Sequence, residues 1–327
     1  MANSLAHDKM CTLWEEAAET TSMKMSLSKD LNKYEFGGDA NKDRASDSSD
    51  NSNDSGNDRE YIPQEYRFDV LDGIVSSASD YEDLVDRMIP VNRGRAKRVL
   101  AQIDAKGLRD PSRREKVAQG FGRDIANAID LTCYTEMLNS STMCVKSTSA
   151  FDYQDAIDAE VLMLNRGLGA FDKKLFLANS HYAKVAKDLG ASQYHAGGIP
   201  VDALTKAKIP NLATFDTMRS DYLINQVAPT ATGITVNGNQ SHTVATYDAN
   251  GYYLDNRQMT LAATGWTAAK MPVGRKFTIA GVNYLHPETR EDSGELQTFT
   301  VKTTGAGTAT ISPAIVITGP YRNCSAQ

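Results

Sequence analysis

The sequence predicts an α+β protein in which a mainly helical part precedes a C-terminal part built from short strands. Three observations lead to this prediction. A long amphipathic helix covers residues 111–139, helices and short strands alternate over residues 151–227, and runs rich in Thr, Val, Gly and Asn begin near residue 228. A chain of 327 residues is long enough for two domains with a substantial buried core.

The N-terminal 60 residues are not expected to form a domain of their own. Residues 1–36 begin as a helix in which Leu13, Trp14, Ala17 and Ala18 recur at helical spacing. Because that stripe cannot be buried within the segment itself, we expect an arm that docks elsewhere on the chain or on a neighbouring molecule. Residues 37–60 are acidic and almost free of apolar side chains, which predicts a mobile loop.

The clearest single element is the helix at residues 111–139. Asp110 can cap its N-terminus, and Pro111 fits the first helical position. Its apolar residues recur every fourth position: Val117, Phe121, Ile125, Ile129, Cys133 and Met137. This row predicts a buried stripe that lies along a sheet or a neighbouring element.

Further elements follow on either side. Strand-like runs occur at residues 66–71 and 84–91, and helices are predicted at 152–166 and 181–189, the second stopped by Gly190, with a strand at 174–178 between them. Six strand-length runs lie beyond residue 228, at residues 233–236, 242–247, 258–262, 276–280, 297–303 and 314–318. Asn250-Gly251 and the glycines around Ala306 predict hairpins, so this part should be a small β-barrel or sandwich.

Little in the sequence points to chemistry. The net charge of −6 gives no overall attraction to nucleic acid, and the four cysteines are too widely spaced for a metal knuckle. The phosphate-loop, dinucleotide-binding, nucleophile-elbow and zinc-protease motifs are absent, and no apolar run could span a membrane. We therefore predict no catalytic residue, no cofactor and no metal. A basic cluster at Arg93, Arg95, Lys97 and Arg98 is either a solvated helix face or a contact for phosphates or an acidic neighbour.

Three stretches together resemble a known family. They are PVNRGRAKRVLAQIDAKGLRDPSRREKVAQGFGRDIANAID at residues 90–130, AFDYQDAIDAEVLMLNRGLGAFDKKLFLANSHYAKVAKDLGAS at 150–192, and residues 231–291, which contain GRKFTIAGVNYLHPET. Their order and texture are similar to the coat proteins of short-tailed, double-stranded-DNA phages of enteric bacteria. The similarity covers roughly 240 residues, and none of the three stretches contains a single invariant motif.

The resemblance implies the tailed-phage and herpesvirus capsid fold with an inserted small β-barrel. On that basis residues 1–36 are the N-terminal arm, 37–75 the extended loop, and 76–227 the capsid core with its peripheral and axial domains and the spine helix at 111–139. Residues 228–327 are the telokin-like insertion domain. The chain ends about where a return to the core is expected.

The function implied is that of a major capsid protein. Its subunits are expected to form pentamers and hexamers, to assemble with a scaffolding protein and a portal protein into an icosahedral procapsid in the bacterial host cytoplasm, and to enclose double-stranded DNA by non-specific contact. No membrane partner is expected. The candidate subunit-interface residues are Arg93, Arg95, Arg98, Asp248, Asn250, Asp255 and Arg257. The alternative is another phage structural or adhesion protein whose β-domain binds a partner or a glycan.

Overall fold

The structure is a computed structural model of the chain. It describes residues 4–25, 27–31, 59–68, 70, 73, 84–92, 97–99, 109–145, 151–169, 171–191, 209, 211–220, 223, 226 and 231–325. The chain divides into two compact units, Met1–Asp58 with Arg93–Leu138, and Arg59–Asn92 with Asn139–Gln327. The predicted boundary near residue 228 lies inside the second unit. Most of the predicted acidic loop, residues 37–58, lies outside the described residues.

The helices are α1 (Ser4–Lys24), α2 (Leu27–Asp30), α3 (Pro111–Ser140), α4 (Tyr153–Asn165) and α5 (Asn179–Ala191). The strands are β1 (Arg59–Pro63), β2 (Met88–Asn92), β3 (Lys173–Leu177), β4 (Asn211–Leu212), β5 (Phe215–Arg219), β6 (Thr235–Val236), β7 (Met259–Thr264), β8 (Lys276–Leu285), β9 (Asp292–Thr304) and β10 (Thr308–Ser312). The described residues therefore form an α+β protein, as the sequence predicts.

In the first unit, α1 packs directly on α3. Leu13 and Ala17 of α1 are buried against Ala118, and Gly122 marks the closest approach, since a Cβ there would lie 2.7 Å from the carbonyl oxygen of Ala17. The hydroxyl of Thr21 donates to the carbonyl of Gly122 at 3.3 Å. The arm thus docks on its own chain, which was one of the two expectations for it.

The buried side of α3 differs from the predicted one. The fully buried positions are Ala118, Gly122, Ala126 and Asp130, one residue along from the predicted row. The predicted row is only half-buried, and its last member, Met137, is 46% exposed. The reason is steric: α1 comes so close that only small side chains fit beneath it, and the larger ones flank the contact. Trp14, expected in the buried stripe of α1, is 52% exposed, because Leu13 and Ala17 are the residues of α1 that face the contact.

In the second unit, α4 and α5 share a hydrophobic core with a three-stranded sheet. β3 lies parallel to β5, and β4 pairs antiparallel with β5. The predicted helix at 152–166 is confirmed, because Asp152 and Asp155 form a reciprocal capping box at its start. The helix that Gly190 was expected to stop continues to Ala191. Leu177, Val185 and Leu212 are buried in the core of this region.

The C-terminal β-domain is a five-stranded sheet in the order β6-β7-β10-β9-β8. Its core is apolar and aromatic, with Phe299 and Val301 fully buried and the Trp266, Phe277 and Phe299 rings in successive contact. Two strand predictions are wrong. Residues 242–247 and 314–318 form no strand beyond an isolated bridge at Tyr247, because the hydrogen bonds of these segments go mainly to loops and side chains.

The β1 and β2 strands form an antiparallel ribbon in the second unit, which we call the β1–β2 ribbon (residues 59–68 and 84–92). Its register pairs Tyr61 with Pro90 and Pro63 with Met88. The strand predicted at 84–91 is therefore displaced slightly towards the C-terminus. The one predicted at 66–71 is not a strand in its described part, since the partner of β2 comes earlier, at Arg59–Pro63.

Candidate functional site

The most structured candidate site is the hairpin loop at residues 248–257, which leaves the β-domain between residue 247 and β7. An isolated antiparallel bridge between Tyr247 and Tyr253 closes its base. Asp248 organises the turn, because its Oδ1 accepts the backbone N–H groups of Asn250 at 2.8 Å and Tyr252 at 2.9 Å. The hairpin predicted from Asn250-Gly251 is confirmed, with Gly251 at a φ of 82° that suits glycine.

Asp255 and Arg257 form an ion pair with each other. The guanidinium donates from Nε to Oδ1 and from Nη2 to Oδ2, each at 2.8 Å, which is the bidentate arrangement. Burial by itself raises the pKa of Asp255, but the hydrogen bonds and charge of Arg257 outweigh it and hold the pKa of the carboxyl below its ordinary value. Both charges are therefore paired with each other within the loop of one subunit, and the ion pair stabilises the base of the loop.

Asn256 anchors the loop to the β-domain. It is 6% exposed, and its side chain donates from Nδ2 to the carbonyls of Ala245 at 2.9 Å and Leu254 at 3.3 Å. Its Oδ1 accepts the Ala245 N–H at 3.2 Å and lies 3.0 Å from Nε2 of His242. A buried amide with this many partners fixes the local backbone, because losing any of them would leave a polar group unsatisfied.

The tip of the loop presents aromatic surface that the sequence reasoning missed. Tyr252 is 64% exposed. At the base of the loop, Tyr247 is 54% exposed and its ring packs 5.0 Å from that of Tyr253. Asn250 is also exposed, and Asp248 is half-buried because its carboxylate is turned towards the backbone. Exposed tyrosines are favoured at protein interfaces, since they bury a large area with few rotatable bonds. The run YDANGYY could have signalled this from the sequence.

The other three candidate residues, the arginines of the basic cluster, do not belong to this loop. Arg93 and Arg95 lie outside the described residues, and Arg98 is exposed and outside any helix or strand. Asp248, Asn250, Asp255 and Arg257 are brought together in one hairpin of the second unit, whereas Arg98 belongs to the first.

Features of a catalytic or metal site are sparse in the described part of the chain. Within it, no group of three His, Cys, Asp or Glu side chains is placed to hold a metal ion. A cavity of about 290 Å³ lies between the β1–β2 ribbon and the β-domain, and its charged member, Arg67, already donates to the carbonyl of Pro287. None of the described helices combines the length and apolar character needed to cross a membrane.

Comparison with known proteins identifies the family. The family model described as "P22 coat protein - gene protein 5" matches residues 7–321, nearly the whole chain. The chain is also similar to a solved structure, the CUS-3 coat protein I-domain, at 34% sequence identity over 31% of this chain and 89% of that one, with a TM-score of 0.24. The family assignment rests on the match over residues 7–321.

The family match confirms the resemblance drawn from the three sequence stretches, together with the α+β capsid fold that contains an inserted domain. It also favours the prediction of a capsid protein over the alternative of an adhesion protein. The family is structural and non-enzymatic. The chain belongs to the P22 coat protein family, and it is a phage major capsid protein that self-assembles into the shell of the virion.

Proposed function

We propose that the loop at residues 248–257 is a contact through which one capsid subunit binds its neighbour during shell assembly. The observation that supports this most directly is the combination of a tightly fixed base with an exposed aromatic tip. Asn256 and the Asp255–Arg257 pair hold the base, while Tyr252 remains 64% exposed. A preorganised loop loses little conformational entropy on binding, so more of its contact energy appears as affinity.

The roles within the loop differ from residue to residue. Asp255 and Arg257 stabilise the loop, because each already satisfies the other. Asn250 and Tyr252 at the tip contact the neighbouring subunit, and Asp248 shapes the turn that presents them. A charged contact at the exposed rim of such an interface contributes about 1 kcal/mol or less, so the aromatic tip supplies the larger part of the binding energy.

Membership of the family supports a proposal for the remaining partners. We propose that the subunits form pentamers and hexamers with a scaffolding protein and a portal protein in the host cytoplasm, and that the icosahedral shell then encloses double-stranded DNA. The net charge of −6 means that DNA contact depends on local basic patches. Arg93, Arg95 and Arg98 are candidates for that contact or for a subunit contact. Replacing all three with Ala should impair assembly more than folding, and loss of soluble subunit would contradict this.

The loop proposal is tested by pairing Tyr252→Ala with Phe171→Ala. Phe171 is also 64% exposed and belongs to the same unit, but it precedes β3 and is not part of the loop. Assembly is followed by light scattering and sedimentation of the full chain with its scaffolding protein. We expect Tyr252→Ala to raise the critical concentration for assembly about tenfold, equivalent to about 1.4 kcal/mol, and Phe171→Ala to leave it unchanged.

Urea unfolding of the unassembled subunit provides the control for stability. Because both rings are exposed, both variants should unfold like the wild type, within about 0.5 kcal/mol. If Tyr252→Ala assembles at the wild-type concentration, the tip of the loop is not a subunit contact and the proposal is wrong.

A further inference from the structure

The β1–β2 ribbon lies against the base of the loop at residues 248–257. The ring of Tyr61 in β1 packs 4.9 Å from that of Tyr253, which in turn packs 5.0 Å from Tyr247. The three tyrosines therefore form a continuous stack that runs from the ribbon through Tyr253 of the loop to Tyr247, the residue just before the loop. Ring pairs at these distances are attractive and have preferred orientations, so they constrain the angle between the two elements.

Polar contacts reinforce the same junction. The backbone N–H of Asp86 donates to Oγ1 of Thr246 at 3.1 Å, immediately before the loop. The carboxylate of Asp86 also accepts the hydroxyl of Tyr66, which ties the two sides of the ribbon together. The guanidinium of Arg87 lies 4.4 Å from the centre of the Tyr321 ring, at a cation–π distance.

The ribbon has a second attachment farther along the β-domain. Nη1 of Arg67 donates to the carbonyl of Pro287 at 2.8 Å, and Nη2 of Arg290 donates to the carbonyl of Phe68 at 3.0 Å. The backbone N–H of Arg67 also donates to the hydroxyl of Tyr321 at 3.3 Å. Both sides of the ribbon therefore contact the β-domain, through Arg67 and Phe68 on one side and Arg87 on the other.

We propose that the β1–β2 ribbon acts as a brace that fixes the orientation of the loop at residues 248–257, which we call the assembly loop. Tyr61 is then a positioning residue for subunit contact, although it lies outside the loop. The inference rests on the proposed function of the loop. The loop's own hydrogen bonds fix its tip relative to its base, but the ribbon contacts Tyr253 and Thr246, where the base joins the β-domain. An isolated two-stranded ribbon is only marginally stable, so the ribbon and the loop order each other.

The charges around the junction agree with a closely packed contact. Burial lowers the pKa of Arg87 and the nearby charge of Arg67 lowers it further, while Tyr321 and Asp255 of the β-domain raise it. Nε of Arg87 is buried and has no hydrogen-bond partner in the described structure. At this junction the guanidinium contacts the Tyr321 ring.

The experiment tethers the ribbon to the loop. Tyr61→Cys and Tyr253→Cys are combined in the full chain, in a background whose native cysteines other than buried Cys324 are serine, and are joined with a short bis-maleimide. Before cross-linking, the loss of the ring contacts should raise the critical concentration for assembly about tenfold. Cross-linking should restore it towards the wild-type value, because the tether replaces the brace.

The matched control is the pair Tyr247→Cys and Tyr253→Cys, which joins the two sides of the loop's base without the ribbon. It removes the same Tyr253 ring, but its cross-link should not rescue assembly. The proposal is overturned if tethering Tyr61 to Tyr253 rescues no better than the control, or if it blocks assembly, which would mean that the ribbon must leave the loop.

The single variant Tyr61→Ala separates this inference from the proposed function. We expect it to raise the critical concentration about as much as Tyr252→Ala, with unfolding of the free subunit measured alongside. Wild-type assembly of Tyr61→Ala together with impaired assembly of Tyr252→Ala would overturn the brace and leave the proposed function standing. Wild-type assembly of both variants would overturn both.

Discussion

Gly122 is the position at which a single methyl group should reveal whether the N-terminal arm is docked on α3. A Cβ added there would lie 2.7 Å from the carbonyl oxygen of Ala17 and 2.7 Å from Cβ of Thr20, distances that real Cβ atoms essentially never adopt. Both of those neighbours are in α1. The turn of α1 from Ala17 to Thr20 must therefore move for Gly122→Ala to be accommodated.

Gly120 in the same helix provides the reference. A Cβ at Gly120 would have no atom within 4 Å, so Gly120→Ala should only gain helix propensity, about 1 kcal/mol. Gly122→Ala gains the same propensity but also forces α1 away, and overpacking of this kind costs about 1–3 kcal/mol. We expect Gly120→Ala to stabilise the subunit, and the difference between the two variants to be about 1–3 kcal/mol.

Urea unfolding of the unassembled subunit measures that difference, and limited trypsin digestion reports on the arm itself. Lys24 at the end of α1 is exposed, so cleavage after it should become faster in Gly122→Ala and slower or unchanged in Gly120→Ala. Equal stabilisation by the two substitutions, with equal cleavage rates, would refute the packing of α1 on Gly122.

Two further predictions concern buried groups. Asp130 is 1% exposed and accepts hydrogen bonds from both the N–H and the hydroxyl of Ser28, at 3.0 and 2.6 Å. Asp130→Ala should therefore lower the free energy of unfolding in urea by about 1–3 kcal/mol. The control Asp124→Ala, at an exposed position of the same helix, should lower it by less than about 0.5 kcal/mol. Burial raises the pKa of Cys324 from 9.0 to about 12. Its contribution to stability is therefore complete below pH 9 and is lost as the pH rises towards 12, by about 1.4 kcal/mol for each pH unit. Unfolding measured from pH 8 to 11 should lose this slope in Cys324→Ala but keep it in Cys144→Ser, and an unchanged slope in Cys324→Ala would contradict the assignment.

Local sequence signals predicted the elements that carry their own start and stop residues. Asp110 and Pro111 mark the beginning of α3, and the backbone N–H of Ser112 does donate to Asp110 at 3.1 Å. Asn250-Gly251 likewise marked the hairpin of the assembly loop. These signals are reliable because capping and turn formation depend on residues only a few positions apart.

Signals that depend on distant partners were less informative. The strands expected at residues 242–247 and 314–318 have the right composition, yet their backbone groups bond to loops and to side chains such as Asn256 and Asn323. The partners of these backbone groups are chosen by proximity in space, which composition does not encode. At the assembly loop, Asp255 and Arg257 pair with each other within the subunit, and their contact with a neighbouring subunit stays a prediction.

The sequence by itself determined the α+β class, the limits of α3, the hairpin at the assembly loop and the membership of a capsid protein family. Only the tertiary structure decided which side of α3 is buried. Two adjacent rows of residues on α3 both repeat every fourth position. Hydrophobicity favours burial of the row with the larger apolar side chains, from Val117 to Met137. The approach of α1 selects the smaller row through Gly122, because close packing of two helices depends on side-chain volume at the contact and not on hydrophobicity alone.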